Sequence, residues 1–314
     1  MRCLVTGATG FLGSHLTRLL LKKRNEVSVL IRPNSDIWRI GDILSGVRVI
    51  RGDIAAVSHV SDEIQSFKPD VVFHLGWHGG NSYKYQNDPS QIFKNLYGSL
   101  ELVHLAKEAG SQRWIGLGTS VEYGKYDIPI TESLRPLPDT LYGMSKYCVC
   151  LLAQKISQLC GIDFTWLRPF WIYGPYDDPL RMIPSVILAL ARAEKPALTL
   201  GEQRWDYLYV EDAVEAIWKV AVNPEAQGIY NMGSGEAHTI RSIVERIRDL
   251  IDPALPLGFG EVPYRPDQIM HLQADISRLK QATGWSPNVD LDEGLRRTVE
   301  WFWENRGRYD ECRF

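Results

Sequence analysis

Three glycines, Gly7, Gly10 and Gly13, recur every third residue in VTGATGFLGSHL, directly after the apolar run RCLVT and at the head of a helical pattern. No other stretch restricts the fold so strongly. Strand, glycine turn and helix in that order let backbone N–H groups approach a phosphate and let the helix pack tightly on the strand. A glycine triplet alone can be no more than a tight turn, so the flanking strand and helix carry the reading. The turn is expected to hold the pyrophosphate of a dinucleotide, with Asp53 of RVIRGDI either bonding an adenine amino group or simply capping a helix.

The pattern continues. VSVLIRP, VRVIRGD, DVVFHLG, RWIGLGT and DFTWLRP are short, β-branched-rich runs, and stretches such as GSLELVHLAKEAG lie between them with helical periodicity. Strands alternating with helices give βαβ units, hence a doubly wound α/β fold whose parallel sheet opens a ligand crevice at its carboxyl ends. After about residue 175 the texture shifts to amphipathic helices such as DEGLRRTVEWFWENR. The expected division is a nucleotide domain of residues 1–167 and 206–232, with a smaller, mostly helical substrate lobe of 168–205 and 233–314.

The chain is 45% hydrophobic and 23% charged with a formal net charge of -3, which gives no electrostatic case for nucleic acid or a membrane surface. No apolar run reaches the roughly 18 residues of a membrane span. A first strand beginning at residue 2 leaves no place for a leader, so a cytoplasmic protein is expected. Cys3, Cys148, Cys150, Cys160 and Cys312 form no CxxC pair and no ligand spacing, so no metal is expected.

LYGMSKY places Tyr142 and Lys146 four apart, on one face of a helix. A phenol with a pKa of about 10 is a poor acid or base at neutral pH, and a neighbouring ammonium lowers it. The pair suits proton transfer at an alcohol or sugar oxygen. GLGTSVEYG offers the hydroxyls of Thr119 and Ser120 at a strand end.

With TGATGFLG, GDI, HLGW, NLYGSLELVHLA, GTSVEYG, YGMSK, LRPFWIYGP, RWDYLYVEDAVEA, YNMGSG and ADISRLKQATGWSP in order, nearly the whole chain resembles the extended short-chain dehydrogenase/reductases. That NAD(P)-dependent epimerase/dehydratase group has a Rossmann fold and includes nucleotide-sugar epimerases, dehydratases and ketoreductases. The resemblance makes Tyr142 the acid/base, Lys146 its tuner and the grip on the nicotinamide ribose, and Thr119 the partner of the reacting oxygen. It makes Asn95 a supporting helix asparagine, or else an ordinary polar helix residue. Cofactor contacts are implied for Gly7, Thr9, Gly10, Phe11, Leu12 and Gly13 in the turn. Asp53, Ile54, Leu75, Gly76, Lys146 and Pro169 are implied at the strand ends. The substrate side would comprise Trp77, His78, Ser120, Glu122, Tyr142 and Trp171. Arg181, Arg204 and Arg265 would grip a nucleotide diphosphate, the alternative for each being a surface ion pair. A homodimer is implied as well.

Two departures bear on the reaction. Family dehydratases carry an acidic pair after the Thr or Ser, where this chain has Ser120 and Val121; its acid, Glu122, stands one step later. It is open at this point whether Glu122 meets substrate or is structural. Trp171 occupies a place often held by asparagine, and lines a pocket or packs a core. At the second strand end, where an acid would hold the adenosine ribose, stand Arg32 and Ser35, which favour the 2'-phosphate of NADP(H) over NAD(H). Together these point to an NADPH-dependent reductase of a nucleotide-linked 4-keto-6-deoxy sugar in deoxysugar biosynthesis. The alternative is a 4-epimerase or dehydratase recycling its cofactor internally.

Overall fold

The protein is described by a computed structural model, which covers residues 1–79 and 85–309; Cys312 lies outside the described residues. The strands β1 (Arg2–Thr6), β2 (Glu26–Ile31), β3 (Arg48–Arg51), β4 (Val71–His74), β5 (Arg113–Leu117) and β6 (Asp163–Pro169) join Gly228–Met232 in one seven-stranded sheet. All its neighbours pair in parallel. In space the order is Gly228–Met232, β6, β5, β4, β1, β2, β3, so the winding reverses between β1 and β4. This is the doubly wound Rossmann arrangement, with its crevice at the switch point.

Both sheet faces are covered. Leu12, Leu16 and Leu20 of α1 (Phe11–Lys22) join Ala213, Ile217 and Val220 of the helix Val210–Val222 over Val5, Val29 and Phe73. On the opposite face α4 (Leu96–Glu108) and α5 (Leu141–Cys160) bury Leu102, Val103, Val149 and Ala153 against Leu4, Val72, Trp114 and Trp166. Two shorter helices precede α4: α2 (Ser61–Phe67) and α3 (Ser90–Phe93).

The remaining lobe is less purely helical than its sequence suggests. The strand β7 (Trp171–Tyr173) pairs with Arg204–Tyr209, which also pairs with Ala237–Thr239 and His271–Leu272. Residue 206, where the sequence division was set, therefore falls inside a strand. A third core packs this small sheet against the helices Met182–Ala191, Ile240–Ile251 and Leu291–Glu304.

An aromatic stack ties the loop after β2 to the far lobe. Trp38 lies on Tyr176 (5.5 Å between centroids, 30° between planes) and on Trp301 (6.5 Å, 27°). The Arg39 guanidinium donates to the Tyr176 carbonyl (2.8 Å), and that residue sits in the left-handed region with φ of 68°. Strain of this kind persists only where the surroundings over-determine it.

Candidate active site

The glycine turn is crowded. A Cβ on Gly13 would stand 2.1 Å from the Gly7 carbonyl oxygen, and one on Gly7 would stand 2.7 Å from the Gly76 nitrogen. Gly7 also has φ of 75°. A smaller cavity of about 210 Å³ runs from Thr6, Gly7, Thr9 and Gly10 past Leu75 and Gly76 to Arg32, Ser35, Asp53 and Ile54. Asp53 lines this cavity and also caps the next turn, accepting from the Ala55 N–H (3.0 Å). The turn, the strand-end residues and a basic far end form a cradle of the shape and polarity a dinucleotide needs.

Behind this cradle runs a buried polar chain with a definite direction. The Gly76 N–H donates to Thr6 Oγ1 (3.0 Å), whose hydroxyl meets His74 Nδ1 (2.9 Å). His74 Nε2 meets Ser99 Oγ (2.9 Å), which donates to the Asn95 carbonyl (2.7 Å). With Thr6 and Ser99 placed this way, His74 carries its proton on Nε2. Burial, aided by the Lys146 charge, lowers its pKa to about 3, so the ring is neutral.

A larger cavity of about 380 Å³ opens from the same turn. It is lined by Gly7, Gly10, Phe11, Leu12 and Gly13, then by Thr119, Ser120, Tyr142, Lys146 and Pro169. Thr140 caps α5, accepting from the Gly143 N–H (3.1 Å), which places Tyr142 in the first turn and Lys146 one turn on. Both side chains are buried. Burial raises the Tyr142 pKa to about 12, while a hydrogen bond from Thr119 and the charge of Arg181 oppose it. Burial drops Lys146 to about 7, against the pull of Glu122. Its ammonium donates to the Leu117 carbonyl (2.6 Å) and lies 3.9 Å from the centroid of the Trp77 ring.

Four residues named from the sequence stand elsewhere. Asn95 does not line the cavity: its amide accepts from the His78 N–H (2.6 Å) and donates to the Gln91 carbonyl (3.0 Å), fixing the turn after β4. His78 lines the smaller cavity rather than the larger. Arg204 is exposed and donates to the Ala237 carbonyl (2.9 Å); its neighbour Trp205 lines the cavity, because successive strand residues face opposite sides. Glu122 is wholly buried beneath the cavity. The segment Ser120–Tyr123 is a 3-10 turn rather than an extended strand, capped by Thr119 and closed by the Glu122 carboxylate on the Thr119 N–H (2.9 Å). T-x-x-E is the sequence mark of such a capping box, and TSVE carried it.

Trp77, Trp171, Arg181 and Arg265 line the larger cavity as the sequence suggested. Trp171 stacks on Trp205 at 5.1 Å and 14°. The lining also includes Gln86, Lys125, Asp139, Asp267 and Gln268, which sequence reasoning did not find, since they come from loops without a motif. Among the described residues no cluster of His, Cys, Asp or Glu is suited to a metal.

The sequence model of the NAD dependent epimerase/dehydratase family matches residues 3–233. A probable UDP-glucuronate 4-epimerase of Rhizobium meliloti is 26% identical, with 98% of each chain covered. UDP-glucose 4-epimerase of Thermotoga maritima, solved with UDP-glucose, superposes with a TM-score of 0.88 at 25% identity, covering 97% of this chain and 99% of that one. A dTDP-glucose 4,6-dehydratase of Streptomyces venezuelae, solved with NAD, has a TM-score of 0.88 at 26% identity and full coverage of both chains.

Proposed function

Because the chain belongs to the NAD dependent epimerase/dehydratase family, we propose that it inverts the C4 configuration of a nucleotide-linked sugar, with hydride taken and returned in one turnover. One observation carries this reading. Thr119, Tyr142 and Lys146 converge on the cavity, the two positions after Thr119 are the non-acidic Ser120 and Val121, and the Glu122 carboxylate is buried beneath on the Thr119 N–H rather than lining the cavity. Oxidation and reduction at C4 need the first group, whereas loss of a hydroxyl from C6 needs an acid and a base as well. The 4-epimerases among the similar proteins agree with this choice.

The glycine turn, Asp53 and Ile54 would hold the cofactor's pyrophosphate and adenine, and Lys146 its nicotinamide ribose. Once bound, the nicotinamide supplies a hydride acceptor and donor. To take the proton of the C4 hydroxyl, Tyr142 must first give up its own against the burial that raises its pKa to about 12; the Thr119 hydroxyl and the Arg181 charge oppose that rise, Thr119 also orients the reacting oxygen, and the Lys146 ammonium stands one turn along the same helix. Arg181 and Arg265 are suited to a diphosphate, and the Trp171–Trp205 wall to an apolar face of the substrate. Exposed Phe93 of α3 and Tyr97 of α4, with Leu152 and Leu159 on α5, suit a second copy of the chain, giving a homodimer.

Two of the similar solved proteins, the Streptomyces venezuelae dehydratase and a UDP-glucuronic acid 4-epimerase of Bacillus cereus, were solved with NAD. Arg32 and Ser35 at the end of the smaller cavity, where no acid besides Asp53 is found, favour NADP as well. That observation supports a second reading, the NADPH-dependent 4-ketoreductase. The test is to incubate purified protein with UDP- and dTDP-hexoses without added cofactor and to follow C4 by NMR. C4 epimers formed with no net change in reduced cofactor support the epimerase. Stoichiometric NADPH oxidation on a 4-keto-6-deoxy sugar, with no epimer, overturns it in favour of the reductase. Calorimetry with NAD and NADP reads the role of Arg32.

A further inference from the structure

The ion pair of Glu122 and Arg168 lies directly beneath the acid–base group, with relative exposures of 0% and 1%. Glu122 Oε2 accepts from Arg168 Nε (2.7 Å), and Oε1 accepts from the Trp166 indole (2.9 Å) and the Thr119 N–H (2.9 Å). The Arg168 guanidinium covers the Tyr123 ring at 4.5 Å. Gly118 leaves the room, since a Cβ there would stand 2.2 Å from the indole nitrogen and 2.3 Å from the carboxylate.

A buried ion pair is weak evidence of stability, because an apolar pair of similar volume commonly serves as well. Its bonds explain it better. The segment 117–119 is fastened at three points: Leu117 by Lys146, Gly118 by the Leu167 carbonyl (2.7 Å) and Thr119 by Glu122. We propose that Glu122 is a positioning residue for the acid–base group: its carboxylate fixes Thr119 from beneath and sets a charge opposite in sign to that of Lys146 below the group. Arg168 pairs with that carboxylate from the side away from Thr119.

The inference rests on the acid–base reading of Tyr142 and Lys146. The groups facing the carboxylate are Arg168 and Trp166 of β6, Tyr123 of its own turn, and Tyr142, Lys146 and Cys150 of α5. At Lys146 the burial effect lowers the pKa and Glu122 opposes it; at Tyr142 Glu122 adds to burial, against Thr119 and Arg181. On β4, His74 faces Lys146 and stays neutral. Removing the charge of Glu122 therefore lowers both pKa values.

The experiment compares the full chain with Glu122→Gln and with Glu122→Gln/Arg168→Met, in which the Arg168 charge is not left buried without its partner. Competitive acetylation of Lys146 across pH, read by peptide mass, reports its pKa without any substrate. The midpoint is expected to fall by about one pH unit in both variants, while the double variant recovers the thermal stability lost by the single one. With a nucleotide sugar that is turned over, the rate falls by about tenfold or more with KM within about threefold, and the pH optimum moves to the acid side. An unchanged midpoint in either folded variant, or a midpoint restored by Arg168→Met, overturns the proposal. If Glu122→Gln does not fold, the double variant carries the test. Absence of turnover by the unaltered chain on any nucleotide sugar counts against the proposed function alone, because the acetylation readout does not depend on it.

Discussion

Tyr142 and Lys146 are separated by one helical turn and share a dry wall, yet burial moves them in opposite directions. Tyr142→Phe keeps the ring and removes only the proton carrier. Turnover is expected to fall by about 10²–10⁴ in steady-state kinetics, with ligand affinity nearly unchanged in calorimetry. Lys146 has a cost to the fold. Its folded pKa of about 7 lies below the value of 10.5 for a free lysine, so the unfolded chain binds the extra proton between those limits. Stability from this group thus rises with pH across that window and is lowest below it. Lys146→Met should gain about 1–2 kcal/mol at pH 6, and the gain should shrink toward pH 10 in denaturant melts. The tyrosine–lysine pair was legible because an i, i+4 spacing needs only a helix. The burial of Glu122 was not, because its fate is decided by Trp166 and Arg168, which lie 44 and 46 residues along the chain.

Strand ends carry the site, and their glycines are matched to tryptophans. A Cβ on Gly116 would lie 2.4 Å from the Trp166 ring, and Gly118 is tighter still. Trp166 itself lies parallel to Trp114 and Phe164, with 8° between planes. Gly118→Ala should therefore destabilise the chain by about 1–3 kcal/mol in thermal melts and slow turnover, since Thr119 moves with the strand end. The main strands were readable from their apolar runs, which parallel, doubly covered strands require. The two- and three-residue strands of the far lobe were not, because only their tertiary pairing makes them strands. The same limit misassigned Arg204: strand register, invisible without the partner Ala237–Thr239, gave the cavity to Trp205.

At the scale of the whole molecule, Phe93 (78% exposed), Tyr97 (70%) and Leu159 (74%) leave apolar surface on α3, α4 and α5. Phe93→Glu/Tyr97→Glu should convert the proposed dimer to a monomer in sedimentation, with the monomer's melt little changed. Opposite this surface, the stack of Trp38, Tyr176 and Trp301 binds the segment that follows Arg32 and Ser35 to the one that runs through buried Asp177 to Arg181. In the proposed function one segment would serve the adenosine end of the cofactor and the other the diphosphate end of the substrate. Two ligands bound at segments joined in this way would share a single free energy of coupling: whatever factor the first added to the affinity of the second, the second would return to the first. Trp38→Ala should bring that factor toward one in titrations run in either order. The stack would then act as a ledger common to both sites, with neither affinity a property of its own pocket alone.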